Sequence, residues 1–246
     1  MIDLHAHVLP GIDDGPNSLA DAVAMVHMAR EDGTTVLVAT PHQRHAQWPN
    51  EDRALLERAL VELREAAGER APRLELGAEI TVDSDLLREI DRLPTGPLVP
   101  LAGSRYLLLE LSPGPDQEEL RALAHELLVA GWWPIVGHAE RYPWLAAEPA
   151  HLIELHELGV QLQITAMSLS GGFGRRAQAC AEFMLEHGIA DLVASDAHDP
   201  HDRPPLLSEG RRIVASRWGE TRAARLFEES PLMVIENLPI RGTMAQ

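Results

Sequence analysis

Seven short apolar runs, each followed by a longer stretch with helical spacing or by a polar turn, set the strongest constraint on how this chain folds. The runs are Ile2 to His5, Thr35 to Thr40, Leu74 to Glu79, Tyr106 to Glu110, Pro134 to His138, Val160 to Ile164 and Asp191 to Asp196. Each has the length of a buried strand. Ser18 to Asp32, Asp52 to Glu69, Asp116 to Ala130 and Arg175 to Glu186 carry apolar residues three and four apart with charges between, which predicts amphipathic helices. Gly33, Gly131, Gly159 and Gly188 close helical stretches just before a strand, where a left-handed cap ends a helix. Strand and helix in alternation call for a parallel sheet. The expectation is an α/β fold, a (β/α) barrel of about seven strands, with an open doubly wound sheet as the second arrangement. With 246 residues, 45 % of them hydrophobic, and no linker or repeat in view, one domain over residues 1–246 is expected.

The charge pattern removes whole classes of function. All 21 basic residues are arginine, so chemistry that needs a lysine amine, including Schiff bases and the phosphate-loop lysine, is excluded. A net charge of −17 opposes binding to nucleic acid or anionic lipid. Cys180 is the sole cysteine, so no intrachain disulfide forms and a reducing, cytoplasmic setting is expected. Met1 to His5 does not read as a signal peptide, and no apolar run is long enough to span a membrane.

The chemistry gathers at strand ends. Six of the seven runs finish in, or within two residues of, a side chain able to hold a metal: His5 and His7, His42, Glu79, Glu110, His138, then Asp196 and His198. In a parallel barrel the C-terminal strand ends meet at one face, so residues scattered along the chain converge there. His5 and His7, two apart on a strand, share a face and can grip one cation. In the turn Asp13-Asp14-Gly15-Pro16, one carboxylate is expected to reach a metal and the other to order the loop or cap the helix that starts near Ser18. With one of these two carboxylates there are nine candidate ligands, more than one cation needs. Carboxylates mixed with imidazoles suit Mn²⁺, Fe²⁺ or Zn²⁺, and two or three ions are implied. Metal-assisted hydrolysis of a phosphoester is the natural reaction class.

Other catalytic devices are missing. Cys180 is followed six positions on by Glu186 where a cysteine phosphatase needs arginine, and no G-x-S-x-G, phosphate-loop or G-x-G-x-x-G sequence occurs. Arg44, Arg141, Arg175, Arg176 and Arg203 follow strand ends. Arg141 and Arg203 are the expected catalytic contacts to phosphate, with Arg44 as a further substrate contact. His45 and His201 are expected in loops at the rim, and Trp48 and Trp144 in mouth loops where they can stack on an aromatic substrate.

These motifs resemble the polymerase and histidinol phosphatase (PHP) superfamily, and within it the manganese-dependent tyrosine phosphatases of bacterial capsule and exopolysaccharide clusters, the CpsB type. The resemblance is carried by Met1 to His7, Asp13-Asp14-Gly15, Ala39 to His42, Gly77 to Ile80, Pro134 to Arg141, Gln163-Ile164-Thr165 with Ser168-Leu169 and Gly172-Phe173-Gly174, and Val193 to His198. It implies a distorted seven-stranded barrel with a trinuclear site. His5, His7, Glu79 and Asp196 would hold one ion; Glu79 would bridge to a second held with Glu110 and His138; Asp14, His42 and His198 would hold the third. The implied substrate is the phosphotyrosine tail of a bacterial tyrosine autokinase that controls polysaccharide synthesis. The rival expectations are a small-molecule PHP phosphoesterase, such as a histidinol-phosphate phosphatase, and a catalytically idle module that binds the kinase tail.

Overall fold

The computed structural model describes residues 1–240 except 84, 91, 94 and 112–116. The strands are β1 (Ile2–Ala6), β2 (Val36–Ala39), β3 (His42–Gln43), β4 (Arg73–Leu76), β5 (Glu79–Thr81), β6 (Tyr106–Glu110), β7 (Trp133–Val136), β8 (Gln161–Thr165) and β9 (Leu192–Ala194). All pair in parallel, in the orders β1-β2-β4 and β3-β5-β6-β7-β8-β9.

Nine strands arise from seven runs because one run is followed past a bend by a further short strand and another is split by a bend. Pro41, which has no N–H for a ladder, separates β2 from β3. Gly77-Ala78 separates β4 from β5, and glycine is required there by close approach: a Cβ on Gly77 would lie 2.7 Å from Leu101 Cδ2 and 3.1 Å from Val38 Cγ1. The bends carry the chain from one sheet to the next as a single curl, and they put His42 and Glu79 in register at the head of β3 and β5. The curl returns on itself where Ala6 bridges Ala197, with Asp196 N donating to His5 O at 2.8 Å and His7 N to Ala197 O at 2.7 Å. The expected barrel-type α/β fold is therefore present. His42 and Glu79 depart from the strand-end expectation, since each opens a short strand beyond a bend instead of closing one.

The helices are α1 (Leu19–Glu31), α2 (Arg53–Ala67), α3 (Leu86–Ile90), α4 (Gln117–Val129), α5 (Pro143–Ala147), α6 (Ala150–Leu158), α7 (Ala166–Leu169), α8 (Gly174–Glu186), α9 (Ser208–Trp218), α10 (Glu220–Ala224) and α11 (Ser230–Ile235). The four expected amphipathic segments are α1, α2, α4 and α8; the expected start at Asp116 lies outside the described residues. Ser18 caps α1 by accepting from Asp21 N, and Asp52 caps α2 by accepting from Leu55 N. Ala22, Met25, Val26 and Ala29 bury one face of α1, and Leu56, Leu60, Leu63 and Ala67 one face of α2. Gly33, Gly131, Gly159 and Gly188 all take positive φ, as caps before β strands require. No helix among the described residues is long and apolar enough to cross a membrane.

Candidate metal centre

Strand alternation puts Asp3, His5 and His7 on one face of the chain, and all three are fully buried. Around them the sheet places His42, Glu79, His138, Asp196 and His198, each less than a tenth exposed. Asp14 and Glu110 complete the set nearer solvent, their side chains 38 % and 16 % exposed. All nine expected ligands thus meet in one cluster, in four overlapping groups of donor atoms: His7 with Asp14, His42 and His198; His5 with His7 and Asp196; His5 with Glu79 and His138; and His42 with Glu79 and Glu110. Glu110 converges with His42 and Glu79, not with the His138 group, which differs from the partition the family resemblance implied.

The backbone is shaped to serve the cluster. His138 and Asp196 both adopt left-handed φ, 35° and 53°, where a non-glycine residue is strained and surrounding structure must hold it. The imidazoles are oriented from behind. His7 Nδ1 donates to Asp13 Oδ2 at 2.7 Å, His5 Nδ1 pairs with Gln163 Oε1 at 3.0 Å, and His198 Nδ1 donates to the Asp196 carbonyl at 3.0 Å. Each bond fixes the proton on Nδ1 and turns Nε2 toward the centre. Asp13 also accepts from Gly15 N and His42 N, so it orders the loop while Asp14 stands 3.4 Å from His42 Nε2 and 3.3 Å from His198 Nε2. Asp13 thus orders the loop and does not cap the following helix, which Ser18 does.

The donor atoms crowd together and satisfy one another only in part: His138 Nε2 pairs with Glu79 Oε1 at 2.7 Å, while others are left without a proper partner. His5 Nε2 and His7 Nε2 are 3.3 Å apart, and the buried His42 Nδ1 lies 3.1 Å from Glu79 Oε2 yet makes no hydrogen bond. Lone pairs aimed at common points, with outer nitrogens already anchored, fit divalent cations. Burial alone would raise the Glu79 carboxyl, but the His5 and His138 imidazoles hold it well below the ordinary range. Asp196 and Asp14 are likewise depressed against their burial, Asp196 by His5 and His138 with Arg203 and Arg141 behind them, Asp14 by His198 and His42. Conversely Glu79 and Asp196 outweigh the burial of His5 and raise it. Asp3 is different: burial pushes it up to about 6, and it accepts from the backbone N–H groups of His5 and Ser195 beneath the cluster.

Arg141 and Arg203 both donate to Asp196 Oδ2, Arg203 at 2.6 Å, and each guanidinium remains about a quarter exposed. Phe173 lies under both, 4.1 Å from Arg141 Cζ and 5.7 Å from Arg203 Cζ. Arg44 instead grips Asp83 through both carboxylate oxygens at 2.6 Å. Arg175 and Arg176 are exposed on α8. His45 and Trp48 stack at His42, whereas His201 sits on the exposed turn after Asp199. Trp144 is not in a mouth loop: it belongs to α5 and lines a crevice with Leu120 and Leu155, because its run continues as helix after Pro143. Gln163 and Phe173 were not singled out as functional residues. Both lie in motifs that carry the family resemblance, Gln163-Ile164-Thr165 and Gly172-Phe173-Gly174, and for Gln163 its place on the inward face of β8 is a further signal.

The model of the family described as capsular polysaccharide synthesis, CpsB/CapC, matches residues 1–236. The chain belongs to this family. Tyrosine-protein phosphatase CpsB of Streptococcus pneumoniae is 30 % identical over 244 residues, covering 96 % of this chain and 98 % of its own. Tyrosine-protein phosphatase YwqE of Bacillus subtilis is 29 % identical over 235 residues, covering 95 % and 91 %. A crystal structure from the pair YwqE of B. subtilis and CpsB of S. pneumoniae, described as unique metal-dependent tyrosine phosphatases, superimposes with a TM-score of 0.89 at 27 % identity, over 97 % of this chain and 95 % of that one. The CpsB/CapC relationship thus extends over both the fold and the strand ends that build the cluster.

Proposed function

We propose that this chain is a metal-dependent protein-tyrosine phosphatase that works in the cytoplasm on the phosphotyrosine tail of a bacterial tyrosine autokinase, in capsule or exopolysaccharide synthesis. The observation that carries the reading is the convergence of nine carboxylate and imidazole side chains beside two partly exposed arginines, in a chain of the CpsB/CapC family. Three divalent ions, with Mn²⁺ the first choice over Fe²⁺ or Zn²⁺, match the number and hardness of the donors. His5, His7, Asp14, His42, Glu79, Glu110, His138, Asp196 and His198 would hold them. Such ions supply activated water and Lewis-acid stabilisation of phosphoryl oxygens.

The chain's own contribution is positioning and charge. Asp13, Gln163 and the Asp196 carbonyl lock the imidazoles in one tautomer. Arg141 and Arg203, held side by side by Asp196 and Phe173, present donors to the phosphate oxygens where negative charge grows in the transition state. The buried floor of the cluster excludes bulk water and strengthens those contacts. The test is metal content by mass spectrometry together with phosphate release from a tyrosine-phosphorylated kinase-tail peptide. Three ions per chain and peptide turnover support the reading. Peptide binding without turnover would instead indicate an idle tail-binding module.

A further inference from the structure

We propose that the paired rings of His45 and Trp48 form the wall against which the aryl group of the substrate stacks, so that Trp48 selects aryl over alkyl phosphates. The inference rests on the phosphatase reading and assigns the residue that reads the leaving group.

The loop that carries these rings is built and held. It opens at Arg44 and closes at Asn50, both non-glycine residues with left-handed φ of 61° and 42°. Arg44 N donates to Pro49 O at 2.9 Å, closing the loop across its base. Asn50 Nδ2 donates to His42 O at 2.8 Å and to Ile12 O at 3.3 Å, while Gln43 Nε2 donates to Asn50 O at 2.9 Å. The Arg44 guanidinium fastens the same base to Asp83. Strained positions kept in place by side-chain amides on both flanks are expected where a loop tip must hold one conformation.

The tip holds two rings, His45 and Trp48, and both pack against His42 of β3 in a triangle of nearly parallel rings. Trp48 lies 5.4 Å from the His42 ring at an interplanar angle of 9°, His45 lies 4.9 Å from His42 at 28°, and Trp48 and His45 are 4.8 Å apart at 21°. His42 is itself in the cluster, its Nε2 3.4 Å from Asp14. From there a chain of contacts through Asp14 and His198 reaches Asp196, where the two phosphate-facing arginines are anchored. Trp48 and His45 remain partly exposed. The cluster is therefore bordered by a partly exposed aromatic surface of nearly parallel rings on a closed loop, which offers a phenyl ring leaving a phosphate a stacking partner that an alkyl chain does not use.

The competing role for Trp48 is to prop His42 in place, and binding measurements separate the two. Phenylphosphonate and methylphosphonate are titrated by calorimetry onto the Mn²⁺-loaded wild-type chain, Trp48→Ala and Trp48→Phe, with circular dichroism as the fold control. The wild type should prefer the phenyl compound. Trp48→Ala should lose roughly 5- to 10-fold in phenylphosphonate affinity, with methylphosphonate and Mn²⁺ binding unchanged and Trp48→Phe largely restored. Equal losses for both phosphonates, a fall in Mn²⁺ affinity, or no wild-type preference would overturn the proposal. Phosphotyrosine-peptide turnover by the wild type reports separately: a phenyl preference without turnover removes the phosphatase reading alone, and turnover without the preference removes the wall alone.

Discussion

Arg203 Nη2 donates to Asp196 Oδ2 at 2.6 Å, while the other oxygen of that carboxylate stands 3.3 Å from His5 Nε2. One side chain, held in a left-handed backbone conformation, therefore joins the group that would meet the phosphate to the group that would hold a metal. Its two oxygens face different partners, an arginine and a histidine.

Replacing Asp196 or His5 by Ala should remove both metal retention and turnover, lowering kcat/KM by more than about 100-fold because several kcal/mol of charge stabilisation goes with the ion. The fold should persist, since the sheet and the helix faces do not depend on these side chains. Steady-state kinetics beside circular dichroism checks this, and substantial activity in either folded variant would count against the assignment.

Arg141→Ala and Arg203→Ala should each cost about 10²-fold in kcat with metal content unchanged, the size of losing one transition-state donor. The double variant should lose less than the product of the two, because both guanidinia share Asp196 Oδ2 and the face of Phe173. Lysine at either position should not restore the rate, since an ammonium cannot reproduce the planar fork. Rate constants and metal analysis for the four variants test the prediction.

The alternation of strand and helix and the residues at the strand ends were readable in the sequence because both are local properties. The bends were not. Pro41 sits just past the run it turns, with a further strand beyond it, and Gly77-Ala78 splits a run whose composition is that of an unbroken strand; the packing at Gly77, Leu101 and Val38 against it, comes from far away in the chain. Asp13 and Asp14 could be assigned opposite duties as a pair, since a tight turn with two adjacent carboxylates rarely aims both at one point. Arg44 was legible as a cation after a strand end, but its engagement with Asp83 depends on a segment nearly forty residues on. Trp144 was misplaced because a proline at the start of a helix and a proline in a loop look alike until the following residues are seen to pack.

Gln163→Leu should weaken Mn²⁺ binding by about 10- to 100-fold while leaving the ligands intact. The His5 Nδ1 loses its acceptor, so the tautomer that turns Nε2 to the centre is no longer enforced. Titration of the metal-stripped variant with Mn²⁺ gives the affinity directly. Wild-type affinity would show that Gln163 does not orient His5.

Burial, with the nearby Glu140 charge adding to it, pushes the Cys180 thiol up from 9.0 to about 12. At pH 9 the folded chain should therefore hold almost no thiolate, whereas the unfolded chain is near half ionised. Reaction with a thiol-specific disulfide reagent at pH 9 should be negligible until guanidinium is added, then complete. Rapid labelling of the native protein would contradict the packing of Cys180 among Ala177, Ala181 and Met184 of α8 and its surroundings.

The most direct measurement is phosphate release by the metal-stripped protein from a phosphotyrosine peptide, histidinol phosphate and a nucleoside monophosphate, with Mn²⁺, Zn²⁺ or chelator added. The account predicts hydrolysis that depends on added metal, is abolished by chelator and favours the phosphotyrosine peptide. Preference for a small ester, or no metal-dependent hydrolysis of any of the three, would contradict it.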